Sequence, residues 1–142
     1  MSDFVVDSSV VAKWILPEAD SASARRLITD YAVRGDRLLV LDLCLTEVAN
    51  AIWKRQYRSM ITAVESVQLL HRLLEIPVQI HPSIPLLDSA MKIAAAHARS
   101  VYDALFVALA NDLQVTGITA DEPLWQAVHS KFPNVVLLRD WR

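Results

Sequence analysis

One acidic residue lies within an otherwise apolar part of the chain. Asp103 belongs to the segment SVYDALFVALAND, in which most of the neighbouring side chains are apolar. An ionised carboxylate in such surroundings is costly unless a partner offsets its charge. Three further acids, Asp7, Glu47 and Asp121, stand near the ends of predicted strands or the starts of predicted helices. If the four carboxylates came together they would repel one another, and a bound cation would explain the cluster.

The ligand atoms of such a cluster indicate its chemistry. Carboxylate oxygens without a nearby cysteine or histidine favour Mg²⁺ or Mn²⁺. Ions of this kind activate phosphoryl oxygens, and two of them about 3.5–4 Å apart stabilise both the attacking and the leaving oxygen. The four acids therefore predict metal-assisted chemistry on a phosphate ester, provided that the fold brings them together.

Short apolar runs alternate with helical segments along the whole chain. Strands are predicted at residues 4–7, 37–41, 77–80, 115–119 and 135–138. Helices are predicted at residues 8–16, about 20–34, from Thr46 onward, 62–75, 84–98, 100–112 and 121–132. Apolar strands that alternate with helices predict an α/β fold with a mainly parallel sheet, covered on both faces.

This topology predicts where the acids meet. Chain direction in a parallel sheet places Asp7, Glu47 and Asp121 at the same edge, where open α/β sheets form their sites. Asp103 joins them if its helix begins at that edge and runs antiparallel to the strand that follows it.

Helix capping is the alternative explanation for each acid taken singly. Asp7 and Asp121 are good N-caps for the helices that follow them. Asp103 could pair with Ser100 in a capping box, and Glu47 could interact with the helix dipole near Thr46. Capping does not explain why four such residues would converge.

Composition excludes several other classes of protein. The 142 residues fit one domain, and a net charge of −2 argues against a broadly basic, non-specific nucleic-acid binder. Two glycines are too few for a P-loop or a dinucleotide fingerprint. The single cysteine, Cys44, excludes an internal disulfide and a cysteine-built zinc site. No membrane span and no secretory signal are predicted, so a cytoplasmic protein is expected.

Four strings carry a resemblance to a known family. VVDSSVVAKWILPE, LTEVANAIWK, SVYDALFVALAND and GITADEPLW resemble the four acidic motifs of PIN-domain nucleases, and their order is similar to that in VapC-type toxins. The resemblance covers nearly the whole chain and implies a single PIN domain over residues 1–142. It also implies an α/β/α sandwich and a Mg²⁺-dependent endoribonuclease site that leaves 5′-phosphate and 3′-hydroxyl ends.

The resemblance also implies roles for individual residues. Asp7 and Asp103 would hold the principal Mg²⁺, Glu47 would bind it directly or through water, and Asp121 would complete a second metal position or orient the water. The polar residues that match the motifs beside these acids are Ser9, Asn50 and Thr119. Lys13, Arg55 and Arg99 are predicted to hold RNA phosphates, although Arg55, with Lys54 and Arg58, could equally form a solvated charged face.

The remaining expectations concern partners and departures from the family pattern. The implied partners are an RNA substrate, a cognate antitoxin and a second copy of the chain. Tyr102 and Phe106 are interpreted as core or dimer contacts rather than base-stacking platforms. Leu41 and Asp42 stand where members of the family often have a proline, and Gln114 stands where a glycine is common.

Two other functions use the same fold and remain open. The same acids could cut DNA in a metal-dependent nuclease. A PIN fold without catalysis could serve as a protein-interaction module, but loss of one or more acids would be its signature, and all four are present.

Overall fold

A computed structural model describes residues 2–17 and 21–141 of the chain. Its strands are β1 (Asp3–Val6), β2 (Arg37–Leu41), β3 (Val78–His81), β4 (Thr116–Thr119) and β5 (Val135–Leu137). Its helices are α1 (Ser8–Ile15), α2 (Ser21–Arg34), α3 (Cys44–Tyr57), α4 (Ala63–Glu75), α5 (Leu87–His97), α6 (Val101–Leu113) and α7 (Glu122–Val128). Two short 3₁₀ helices cover Ile84–Leu86 and Leu138–Asp140.

The five strands form one sheet in the order β3-β2-β1-β4-β5, and every pairing is parallel. β1 lies at the centre, where Val5 is in register with Leu39 on one side and Gly117 on the other. From β1 the chain first builds outward through β2 and β3, and then returns to the other side for β4 and β5. The switch point between β1 and β4 is where such sheets open a crevice at their carboxyl ends.

Helices cover both faces of the sheet. Successive strand side chains point to opposite faces, so Val6 and Val40 pack in one hydrophobic cluster, whereas Val5 and Leu39 pack in another. The first cluster includes residues of α1 to α4, and the second includes residues of α5, α6 and α7. The predicted α/β/α sandwich is therefore confirmed.

Helix α6 is deeply buried against the sheet. Residues 104–110 are all buried, and Gly117 of β4 lies directly beneath them. A Cβ atom at Gly117 would stand 3.0 Å from both the Ala110 Cβ and the Phe106 ring. The absence of a side chain at this position lets α6 approach the sheet closely.

Several helix boundaries differ from the predicted ones. α3 begins at Cys44, two residues before Thr46, because Leu43 already has a helical backbone and no side chain caps this end. α7 ends at Val128 rather than at residue 132. After its end, the amides of Lys131 and Phe132 both donate hydrogen bonds to the Val128 carbonyl. Pro133 follows, and a residue before proline disfavours the helical conformation.

Two smaller differences concern the other predicted helices. The segment predicted to begin α5 at residue 84 forms a 3₁₀ turn, and the α-helix starts at Leu87. The predicted start of α2 at residue 20 lies outside the described residues, which resume at Ser21. The predicted capping box of Thr62 and Glu65 is confirmed by both of its hydrogen bonds.

The positions that depart from the family pattern are accommodated locally. Asp42 Oδ2 accepts a hydrogen bond from the Ser83 amide at 3.0 Å and ties the segment after β3 to the segment before α3. Gln114 adopts the left-handed conformation, with φ of 55°, at the C-terminal end of α6. In the described part of the chain, no single helix is long and apolar enough to cross a membrane. One pair of helices, Ile84–His97 and Val101–Leu113, would together be long and apolar enough, but the two are bent by 116° relative to each other.

Candidate active site

Asp7 lies at the carboxyl end of β1 and begins the site. Its Oδ1 accepts a hydrogen bond from the Ser8 amide at 2.9 Å, so the residue caps α1. Its Oδ2 accepts hydrogen bonds from two hydroxyls, Ser9 Oγ at 2.9 Å and Thr119 Oγ1 at 2.8 Å. Asp7 is therefore a helix cap, as the capping alternative predicted. Its carboxylate is also held by the two hydroxyls that were predicted to accompany it.

The same two hydroxyls connect the end of β4 to the start of α1. Ser9 Oγ accepts a hydrogen bond from the Ala120 amide at 3.0 Å, and Thr119 Oγ1 accepts one from the Asp121 amide at 3.0 Å. Each hydroxyl thus donates to Asp7 and accepts from the backbone of the neighbouring strand end. This arrangement holds Asp7 in one orientation across the switch point of the sheet.

The other three acids lie on, or directly before, three different helices. Glu47 lies on α3, and its Oε2 accepts a hydrogen bond from Ser8 Oγ at 3.2 Å. Asp103 is the third residue of α6, and its amide donates to Ser100 Oγ at 3.1 Å. Asp121 caps α7 through a hydrogen bond from the Leu124 amide to its Oδ1 at 3.1 Å. α6 begins at the carboxyl edge of the sheet, as the convergence of the acids required.

All four acids line one cleft of ≈ 320 Å³. The cleft is also lined by Ser8, Ser9, Cys44, Tyr102 and Phe106. Convergence of the predicted acids is thus observed. Phe106 is buried in the core as expected, but Tyr102 is 64% exposed. Of its two interpretations, the core contact is therefore wrong, and the contact with a second copy of the chain stays a prediction. The sequence could have indicated this, because Tyr102 directly precedes Asp103 in the first turn of the helix.

Burial and mutual repulsion disfavour negative charge in this cleft. The pKa of Asp7 is raised to about 6, chiefly because the carboxyl group is removed from water. The hydrogen bonds of Thr119 and Ser9 oppose this rise, and the charges of Asp103 and Glu47 contribute to it. Burial also raises the pKa of Glu47, with the Asp103 charge adding to it and the Ser8 hydrogen bond opposing it. Without a positive charge, the cleft therefore holds its carboxylates at a cost in free energy.

The guanidinium of Arg99 provides a positive charge at one side. Its Nη2 and Nε donate to Asp103 Oδ2 at 2.9 Å and 3.3 Å. The same Nη2 stands 3.9 Å from Asp121 Oδ2. Arg99 was predicted to face RNA phosphates, but here it is paired with two of the predicted metal ligands.

The other predicted residues do not line the cleft. Lys13 and Arg55 are in the last turns of α1 and α3, are partly buried, and are not among the residues that line the cleft. Asn50 is exposed on α3, one turn after Glu47, and it is also outside the lining. The structure brings Ser9 and Thr119 to the acids but does not bring Asn50, Lys13 or Arg55 into the cleft wall.

Comparison with known proteins decides the family. The PIN domain matches residues 4–128 of this chain. The chain belongs to the PIN domain family. Ribonuclease VapC3 from Pyrobaculum aerophilum is 34% identical to it over 134 residues, which cover 93% of this chain and 96% of that protein. The predicted family is confirmed.

Solved structures of other proteins share this PIN fold. PAE2754 from Pyrobaculum aerophilum superposes with a TM-score of 0.73 and 20% identity, over 97% of this chain and 85% of that one. The Mycobacterium tuberculosis toxin VapC20, which cleaves the sarcin-ricin loop, superposes with a TM-score of 0.66 and 17% identity, over 88% of this chain and 95% of that one. VapBC2 from Rickettsia felis, bound to a promoter DNA fragment, superposes with a TM-score of 0.66 and 13% identity, over 95% of this chain and 96% of that one.

The donor atoms of this PIN domain suit an oxygen-preferring cation, although the side chains are not preset around one. Within residues 2–17 and 21–141, no three His, Cys, Asp or Glu side chains stand in an arrangement that could hold a metal ion. The acids nevertheless supply carboxylate oxygens, which are the ligands of Mg²⁺ and Mn²⁺. The ligand atoms of these acids therefore fit such an ion. The positive charge of Arg99 faces two of the acids, Asp103 and Asp121.

Proposed function

We propose that this PIN domain is an endoribonuclease that depends on Mg²⁺ or Mn²⁺, and that it acts as the toxin of a toxin–antitoxin pair. The observation that supports the proposal best is the meeting of Asp7, Glu47, Asp103 and Asp121 in one cleft. The name of a relative that is 34% identical over nearly the whole chain, a ribonuclease, supports RNA as the substrate.

Each acid has a proposed task. Asp7 and Asp103 would hold the principal cation with help from Glu47, and Asp121 would hold a second one or orient the attacking water. When bound, the cation would lower the pKa of a water molecule and offset charge on the scissile phosphate. Thr119 and Ser9 keep Asp7 in position through their hydrogen bonds. Lys13, Arg55 and Arg99 remain proposed contacts to RNA phosphates, and Asn50 a proposed residue of the site.

The proposed partners are a cognate antitoxin and a second copy of the chain, in the cytoplasm. Large apolar side chains are exposed on α3, on α4 and between them, which supports association with another protein surface. These residues are Trp53, Tyr57, Met60, Val64 and Val67. We expect the isolated protein to have the mass of a dimer by light scattering, and we expect co-expression with its antitoxin to relieve growth arrest. A stable monomer would reject the dimer.

Cleavage by a matched pair of variants tests the catalytic proposal. Asp103→Asn removes a proposed ligand with little change of shape, whereas Asp88→Asn removes a carboxylate that pairs with Lys92 at 3.2 Å on the surface of α5. Purified wild-type protein and Asp88→Asn should cut structured RNA with Mg²⁺ or Mn²⁺ and stop with EDTA. Asp103→Asn should be slower by at least about 100-fold, since even outer partners of a metal ligand contribute roughly 10–100-fold.

The substrate is tested in the same assay. A DNA strand of the same sequence should remain intact under conditions in which the RNA is cut. Equal cleavage of both polymers would make the protein a general nuclease. RNA cleavage that persists in EDTA, or in Asp103→Asn at the wild-type rate, would reject the metal mechanism.

A further inference from the structure

Arg99 lies in a short and well-defined connection between two helices. α5 ends at His97 and α6 begins at Val101, so only three residues separate them. Ala98 turns the chain in the left-handed conformation, with φ of 53°, and the Arg99 amide donates to the Ala94 carbonyl at 3.2 Å. Ser100 then caps α6. The backbone of Arg99 is therefore held from both sides, beside the cleft.

The Arg99 side chain reaches acids from two different elements. It contacts Asp103 Oδ2 at 2.9 Å and 3.3 Å, and Asp103 lies only four residues farther along the chain. Its 3.9 Å approach to Asp121 Oδ2 joins the start of α6 to the start of α7. The three side chains are 26%, 28% and 31% exposed, so water screens these charges only in part.

A divalent cation and this guanidinium compete for the same electrostatic environment. A cation held by Asp103 and Asp121 would lie within a few ångströms of the guanidinium, and two positive charges this close repel each other in a partly dehydrated cleft. Without the cation, the guanidinium offsets part of the repulsion among the acids. Binding of the cation therefore weakens the pairing of Arg99 with the acids, and this pairing lowers the affinity of the cleft for the cation.

We propose that Arg99 is an internal counter-ion that closes the site in the metal-free protein and must leave Asp103 and Asp121 before a divalent cation binds. The inference rests on the proposed function, because it assigns the regulation of that same cleft. It makes Arg99 an autoinhibitory contact, which sets the concentration of Mg²⁺ or Mn²⁺ at which the protein becomes active.

Direct binding of Mn²⁺ in the absence of RNA tests this role. Arg99→Gln removes the charge and should bind Mn²⁺ at least about fivefold more tightly than wild type, by calorimetry or by the loss of the free-ion EPR signal. Arg99→Lys keeps the charge and should stay near wild type. Arg139→Gln is the matched control, because Arg139 pairs with Glu122 at 3.3 Å outside the cleft lining. Equal or weaker Mn²⁺ binding by Arg99→Gln, or no Mn²⁺ binding by any variant, would overturn the proposal.

A measurement on the unmodified protein covers the case in which Arg99→Gln does not fold. The Nε–H of Arg99 is hydrogen-bonded to Asp103 in the closed state, so its NMR signal should shift as Mg²⁺ is added, while the signal of Arg139 should not. An Arg99 signal that stays unchanged while the signals of cleft residues respond to Mg²⁺ would contradict the inference.

The two proposals fail in different ways. If wild-type protein saturated with Mn²⁺ cuts no RNA, the proposed function fails, but the difference in Mn²⁺ affinity between wild type and Arg99→Gln still decides the role of Arg99. If RNA is cut and Arg99→Gln has wild-type Mn²⁺ affinity, the proposed function stands and Arg99 is not a counter-ion that competes with the metal.

Discussion

The Thr119 hydroxyl donates a hydrogen bond to Asp7 Oδ2 across 2.8 Å, although 112 residues separate them in the sequence. Thr119 is fully buried, and the same hydroxyl accepts a hydrogen bond from the Asp121 amide. One side chain thus links the ends of the neighbouring strands β1 and β4 and two of the acids. In this cleft, the orientation of Asp7 depends on the strand that carries Asp121.

Replacement of Thr119 by valine tests this link. Thr119→Val has nearly the same shape but leaves Asp7 without one donor and the Asp121 amide without its acceptor. We expect the free energy of unfolding to fall by about 1–3 kcal/mol, because buried polar groups lose their partners. The pKa of Asp7 should rise further, because the Thr119 hydrogen bond lowers it in the wild type.

The control for this variant is Thr119→Ser, which keeps the hydroxyl and should preserve most of both properties. Urea denaturation measures the stability, and the dependence of RNA cleavage on pH measures the effect on Asp7. A valine variant whose cleavage falls at the same pH as that of wild type would show that Thr119 does not act on Asp7.

The raised pKa of Asp7 predicts how stability depends on pH in the metal-free protein. Below its ordinary pKa of 3.8 the carboxyl group is protonated in the folded and the unfolded chain. Between 3.8 and about 6 the unfolded chain loses this proton while the folded chain keeps it, so stability falls as the pH rises through this interval. Above it, the loss is complete and amounts to at most about 3 kcal/mol.

Asp7→Asn should abolish this loss, because asparagine does not titrate and caps a helix about as well as aspartate. In EDTA, wild type and Asp7→Asn should have similar free energies of unfolding near pH 4, and the variant should be the more stable protein at pH 7. Urea denaturation at several pH values gives the comparison. A difference that stays constant from pH 4 to pH 7 would be incompatible with a raised pKa of Asp7.

The close approach of α6 to the sheet predicts an unequal effect of two glycine replacements. Gly117→Ala places a Cβ 3.0 Å from Ala110 and Phe106. It should lower stability by about 1–3 kcal/mol through overpacking. It should also slow cleavage, because α6 carries Asp103.

Gly35→Ala is the comparison for Gly117→Ala. Gly35 has φ of +70° with no atom within 4 Å of the added Cβ, so its cost of about 1–2 kcal/mol comes from the backbone alone. Thermal unfolding and cleavage rates are measured on both variants. Cleavage should remain at the wild-type rate in Gly35→Ala, and an equal loss in the two variants would contradict a local effect on Asp103.

The exposed ring of Tyr102 predicts a contribution to substrate binding. Tyr102 lines the cleft and is 64% exposed. Single-stranded RNA bases stack on such rings with about 1–3 kcal/mol per base. Tyr102→Ala should therefore raise KM by about tenfold with a smaller change in kcat, whereas Tyr57→Ala, on an exposed ring outside the cleft lining, should leave KM unchanged. Unchanged KM in Tyr102→Ala would exclude stacking.

The sequence by itself determined the order of the elements and the edge at which the acids meet. Alternation of apolar strands with helices requires a covered parallel sheet, and chain direction then carries Asp7 and Asp121 to the same edge. The caps at Asp7, Thr62 and Asp121 are also local, because each depends on a backbone amide a few residues away. Local patterns of this kind can be read without the tertiary structure.

Only the tertiary structure decided which polar side chains reach the cleft. Thr119 and Ser9 meet Asp7, while Asn50 remains exposed on α3, although all three match polar positions of the family motifs. The pairing of Arg99 with Asp103 and Asp121 depends on the left-handed turn at Ala98 and on the meeting of two helix starts. Such contacts depend on rotations and separations of a few ångströms between distant segments, and sequence spacing does not determine these distances.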